Sequence, residues 1–322
     1  MIKIKTYTAL SVIFVLSLFL SSCNKDNSTQ PTELTDEQFM QQVVNSGYSS
    51  SSSDEDNLMS QEITDLNDGS AQKNNESDPD PVDSLKRWGR RVSSVNVNYQ
   101  ITGNDTMRYV NVTRTITGNY IIIAFINGQL DSINKPYTEV FSRNIIFKRI
   151  DRTQYPRLNW RVYQVSNLDG GTTTPQVGTS QVQMTKIEIY KNGSVSPTYT
   201  IQGPDFQSDY YTTIRFGGTG IPSFNRDDVV LVKVYTISQQ VPADYVAFHW
   251  ARNTFGFHRV QFNLESQNGN NRVYSKSFNV YSSHRLGVFN GYISASTHES
   301  LYTGDVNKFA SDEIGIPYKI IQ

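Results

Sequence analysis

From Val92 onward the chain alternates. Val95, Val97, Tyr99 and Ile101 are apolar with polar residues between them, the period of two that a strand needs when one face meets a core and the other meets water. Gly103-Asn104-Asp105 then breaks the pattern, a segment over 107–117 runs back, and Gly118-Asn119 is expected to turn the chain again into 120–126. Gly-Asn and Asn-Asp pairs tolerate the positive φ of tight hairpins. Segments at 140–150 and 158–165 continue the meander, with Trp160 and Val162 on one face. A chain patterned this way folds as antiparallel sheet.

Asp169-Gly170-Gly171 followed by Thr172-Thr173-Thr174-Pro175 reads as a boundary. Beyond it, strands are expected near 181–190, 197–202, 210–216, 228–238, 244–252, 257–265, 272–281 and 287–295, with Asn192-Gly193 and Asn268-Gly269 as hairpin turns. Seven or eight short strands at regular spacing argue for a sandwich, and this count resembles an immunoglobulin-like or fibronectin-like domain. The Cys…Trp…Cys mark of true immunoglobulin domains is absent, so the likeness is architectural. The expected class is mainly β: two antiparallel β domains, 85–168 and 175–322, the second a sandwich with a C-terminal extension. The first, with helical segments ahead of a meander, is either a curved sheet on helices, resembling the NTF2-like or cystatin-like folds, or another sandwich.

Upstream the composition changes. Residues 24–84 hold two basic residues against 14 acidic ones, a net of −12, whereas 85–322 hold 25 against 16, a net of +9. The acidic stretch is rich in Ser, Asn, Asp and Gln and cannot bury enough apolar surface to fold alone, so 23–84 reads as a tether. Thr35-Asp36-Glu37-Gln38 reads as a capping box, followed by Phe39, Met40 and Val43 at helical spacing and a stop at Gly47. Leu58, Met59, Glu62, Ile63 and Leu66 form a second stripe, and 82–91 a third helical candidate. Pieces this short are marginal unless they dock.

The first 22 residues are a secretory signal by pattern: Lys3 and Lys5, an apolar run over 9–20 that is short for a membrane span, and the small residues Ser21-Ser22. Cys23 follows, the sole cysteine of 322 residues, so no disulfide forms within the chain. Leu20-Ser21-Ser22-Cys23 resembles the lipobox of bacterial lipoproteins. The resemblance implies cleavage before Cys23, a diacylglycerol on its sulfur and often an acylated new amino group. Two or three acyl chains hold a protein on a membrane durably, where one does so marginally. It implies an extracytoplasmic protein anchored in the cell envelope. Asn24, in place of the Asp that retains many lipoproteins at the inner membrane, favours the outer membrane. Lys25-Asp26 resembles charged surface-export signals, and the side faced, periplasm or surface, stays open.

For chemistry, the densest stretch is 246–260. A hairpin reading puts Val246, Phe248 and Trp250 on one face of a strand and His249 on the other, with His258 expected across the ladder from His249. Two imidazoles can begin a metal site, but no third ligand lies at a suggestive spacing. No Gly-x-Ser-x-Gly elbow occurs, and Phe216-Gly217-Gly218-Thr219-Gly220 lacks the Lys-Ser/Thr of a phosphate loop. Asp227-Asp228 suits a loop better than an acid/base pair, because successive strand residues face opposite ways. His298-Glu299 and His284-Arg285 read as surface pairs. Tyr210, Tyr211, Tyr274, Tyr281 and Tyr292 either fill a core or stack on a sugar or protein partner.

No cofactor, metal or nucleic-acid partner is expected. The reading is a membrane-anchored, non-enzymatic binding or structural module for glycan or envelope protein, with His249, Trp250 and His258 as candidate ligand-binding residues. The alternative is an envelope hydrolase or metal-dependent enzyme around His249 and His258.

Overall fold

The computed structural model describes residues 34–45, 66–67, 71–72, 82–175, 181–251 and 257–322, with backbone alone at 66–67, 71–72, 251 and 257–258. The signal segment, Cys23 and the 58–63 stripe lie outside the described residues. Contacts divide the chain into residues 1–35, of which Leu34 and Thr35 are described, and a unit from Asp36 to Gln322. That unit is mainly β and antiparallel.

The capping-box segment forms helix α1 (Asp36–Asn45). Two short strands, β1 (Leu66–Asn67) and β2 (Ala71–Gln72), pair with β3 (Val82–Gly103). Then come β4 (Met107–Ile126) and β5 (Gln129–Arg149), joined at Asn127-Gly128, whose φ values of +50° and +76° suit a primed hairpin turn. The three long strands curl into a half-barrel, so of the two expectations for this region the curved sheet is the one observed. Helix α1 docks on it: Met40 and Val44 are buried among Val110, Val112, Ile145 and Phe147.

Two expectations fail here for instructive reasons. Residues 82–91 are strand, not helix. Between Val82 and Ser84 and between Leu85 and Arg87 the β3–β4 register slips by one, so Val82, Leu85 and Trp88 lie opposite Ile126, Ala124 and Ile122. A bulge puts two residues against one; two of them stretch a period of two into a spacing of three, which imitates a helix. Nor does Gly118-Asn119 turn. β4 runs straight through it, and Gly118 is needed because a Cβ there would come within 2.3 Å of the Arg91 carbonyl oxygen.

After α2 (Pro156–Asn159) and β6 (Trp160–Ser166), the glycine- and threonine-rich stretch read as a boundary is itself strand β7 (Leu168–Thr174), paired on one side with β5. A Cβ on Gly170 would meet the Val140 carbonyl oxygen at 2.3 Å; these glycines serve close strand approach.

The rest of the chain supplies β8 (Val182–Lys191), β9 (Tyr199–Gln202), β10 (Tyr210–Thr212), β11 (Ser223–Phe224), β12 (Val229–Ser238), β13 (Tyr245–Ala251), β14 (Phe257–Gln261), β15 (Asn263–Asn268), β16 (Asn271–Asn279), β17 (Gly287–Ser296), α3 (His298–Tyr302) and β18 (Ser311–Ile320). Five strands in the order β15-β16-β12-β8-β9 form one sheet; β18, β17, β13 and β14 extend the large sheet from β7 and face it, giving a sandwich-like pair of layers. The strand expected over 257–265 is divided: at buried Phe262 the chain passes from the large sheet to the small one. The 210–216 segment likewise ends as strand at Thr212 and closes as a 3-10 turn at Ile214–Phe216.

Strands β13, β17 and β18 work on both faces. Val246, Ile293, Ala295, Ile314 and Ile316 join the sandwich core, whereas Tyr245 and Ala247 join the core inside the curl with Trp88, Tyr120, Tyr137 and Phe309.

Candidate functional site

Consecutive residues of β13 point into two different environments. His249 faces the curl. It is 4% exposed, its Nε2 is 2.8 Å from Ser294 Oγ, and its ring stacks on Tyr292 at 4.1 Å between centroids. Burial, with the cations of Arg259 and Arg90 adding to it, holds its pKa well below the ordinary imidazole value, so the ring is neutral. Its Nδ1 is buried without a hydrogen-bond partner among the described residues.

The expected histidine pair does not form at this register. Arg259 stands opposite His249, and His258 stands opposite Trp250. The Arg259 guanidinium lies 3.8 Å from the centre of the Trp88 ring. His258 is placed by its backbone only. Among the described residues no group of three or more His, Cys, Asp or Glu is arranged to hold a metal ion.

Deeper in the curl lies a charge cluster that sequence reading missed. Arg90 donates from Nε and Nη2 to the two carboxylate oxygens of Glu139, at 2.8 and 2.6 Å, and from Nη2 to Glu313 and Ser311 Oγ. All three charged side chains are at most 5% exposed. One guanidinium does not neutralise two carboxylates. Burial pushes Glu313 well above the ordinary carboxylate range, against the pull of Arg90 and helped by Glu139, so Glu313 carries the proton. Arg90 also sits over the rings of Tyr120, Tyr137 and Phe309 at 5.7–6.0 Å. The cluster is buried among aromatic rings and acts as a structural core. Its members are separated in the chain by 49 and 223 residues, which no local motif can reveal.

Trp250 faces the other way. It stacks on Phe248 at 5.7 Å, and together they form one wall of an open cleft at an end of the sandwich, about 400 Å³ in volume. Phe224, Phe278 and Tyr318 come from three other strands to complete an apolar floor. Gly291 makes room for this wall: a Cβ there would fall 2.5 Å from Phe248 Cε2. Among the described residues no Asp or Glu lines the cleft, and the Lys or Arg that does is Lys276. Lys276 lies opposite Val232 and between Tyr274 and Phe278, on the inward register of β16, half-buried. It has no ion-pair or hydrogen-bond partner among the described residues.

The tyrosines divide. Tyr211, Tyr274 and Tyr292 are buried in cores, Tyr210 is half-buried, and Tyr281 is exposed at the cleft. Asp228 is buried and paired with Lys191 at 3.1 Å and with Asn192, while Asp227 adopts φ +66° in the turn before β12. His298 is buried and stacks on Tyr302, whereas Glu299 pairs with Lys308.

Compared with known proteins, the chain matches no family model, and no curated protein is significantly similar to it.

Proposed function

We propose that this chain is a lipid-anchored, non-enzymatic binding module of a bacterial envelope, attached through Cys23, and that the cleft beside Trp250 is where it holds an envelope component. The observation that carries the reading is the cleft itself: its volume lies within the roughly 300–1,000 Å³ of small-ligand sites, its lining is mostly apolar and aromatic, and it is open. Glycan and envelope protein are the partners the sequence suggests. The floor offers few hydrogen-bonding groups, which favours a ligand with a sizeable apolar part.

The enzymatic alternative draws little support from the same hairpin. His249 is enclosed, neutral and engaged with Ser294 and Tyr292, and Arg259 occupies the position across from it.

Two experiments on the full-length protein test the proposal. Labelling cells with an alkyne fatty acid should mark the wild type and not Cys23→Ser, and Cys23→Ser should leave the membrane fraction; equal labelling of both would reject the anchor. Binding to arrayed glycans and isolated envelope components should weaken in Trp250→Ala and persist in Val195→Ala, a substitution at an exposed position outside the cleft lining. Binding that ignores Trp250 would reject the cleft.

A further inference from the structure

We propose that the cleft takes a single-chain anionic amphiphile from solution, its apolar chain lying between the sheets and its head group meeting Lys276. The proposal rests on the reading of the cleft as a binding site and adds the chemical class of the ligand.

Strand β16 breaks the apolar pattern of its inward face. On β16, Tyr274 and Phe278 face inward and pack in the sandwich core, and Lys276 occupies the inward position between them. Opposite it on β12 is Val232, itself opposite Ile189 on β8, so three neighbouring strands present Lys, Val and Ile on one face. An ammonium on an apolar face loses hydration unless it reaches water or an anion. Among the described residues no Asp or Glu lines the cleft to supply that anion, and none pairs with Lys276.

Beyond Ser275 the pairing with β15 stops, because the β15–β16 register covers Asn263 to Asn268 against 271–275 only. Lys276 therefore sits where the small sheet loses a strand and the cleft opens. An apolar floor continuous with Phe248, Trp250 and Phe278, ending at a cation unpaired among the described residues, matches a ligand that is apolar along its length and negative at one end. A sugar would leave its hydroxyls unpaired on this floor, and a wholly neutral apolar ligand would leave the cation unused.

The test uses the full-length chain carrying Cys23→Ser, so that no lipid of its own competes, with oleate and oleyl alcohol as probes at concentrations below their aggregation limits. Of the three tryptophans, Trp88 and Trp160 are at most 1% exposed, so a change in emission on titration reports Trp250; Trp250→Phe should abolish it. Oleate is expected to bind at least about tenfold more tightly than the alcohol, a difference equivalent to about 1.4 kcal/mol. Lys276→Met should remove that preference by lowering the affinity for oleate to about that for the alcohol, and Val232→Phe, which fills the cleft without adding a tryptophan, should weaken both.

Equal affinity for the two probes in the wild type, or a preference that survives Lys276→Met, overturns the amphiphile and leaves the cleft as a binding site of another kind. No binding of either probe overturns the proposal alone; the cleft reading is overturned only by binding of envelope components that ignores Trp250→Ala. Flotation with anionic vesicles, together with no response to monomeric oleate, would assign the face to a membrane surface and overturn the proposal as well.

Discussion

Gly291 lies beneath the ring of Phe248, where a Cβ would approach the ring's Cε2 and Cζ to 2.5 and 2.6 Å. The two residues belong to adjacent strands of the large sheet, with Phe248 opposite Ile293 and Gly291 opposite Trp250. One missing methyl group thus sets the wall of the cleft. Gly291→Ala should push the Phe248 ring off its position and destabilise the protein by about 1–3 kcal/mol, the usual cost of overpacking. A urea midpoint unchanged from wild type would show that the ring moves freely.

Arg90 holds two buried carboxylates apart from solvent. Arg90→Met leaves the Glu139 carboxylate without a counter-charge and the protonated Glu313 without its partner, and should cost about 3–5 kcal/mol, whereas adding Glu139→Gln and Glu313→Gln to it should recover most of the loss. Chemical denaturation of the single and triple variants measures this. Additive losses in the triple variant would mean that the three side chains act independently.

Burial pushes Asp312 up to about 7, with Asp169 nearby adding to the shift, and Asp169 itself to about 6, burial again leading. A carboxyl whose folded pKa exceeds its unfolded value makes the folded state bind more protons, so its contribution to stability is present at low pH and is lost as pH rises from about 4 toward 7. His249 acts with the opposite sign: its depressed folded pKa costs stability as pH falls below the ordinary imidazole range near 6.5. Thermal midpoints recorded from pH 4.5 to 7.5 should lose part of their decline with rising pH in Asp312→Asn. They should lose part of their acid-side decline in His249→Phe. Profiles parallel to wild type would remove these two groups as the source.

Met40 is fully buried and reaches the curled sheet from helix α1. Met40→Ala should cost about 2–5 kcal/mol if the helix is docked in solution. Hydrogen exchange over Asp36–Asn45 should rise with it. A cost under about 0.5 kcal/mol would place the helix outside the cooperative unit.

Local patterning was enough to read most of the strands of the body, the Gly103 turn region, the Asn192-Gly193 and Asn268-Gly269 turns, helix α1, and the separation of Trp250 from His249 on opposite faces of one strand. These follow from periods and turn chemistry confined to a few neighbouring residues. Where a local rule failed, a contact distant in sequence had overridden it. Two bulges against β4 made β3 look helical, Arg91 across the ladder explains Gly118, and strand pairing accounts for Gly170 and Gly171.

The tertiary structure alone decided the candidate site. Register set Arg259 rather than His258 opposite His249, a choice of one position that no single strand encodes. The cleft and the Arg90 cluster are assembled from strands far apart in the chain, so neither has a sequence signature. Lys276 reads in isolation as one polar residue of an ordinary strand; it becomes a binding candidate only because folding turns it inward, between two sheets, with no carboxylate of the described residues in the cleft.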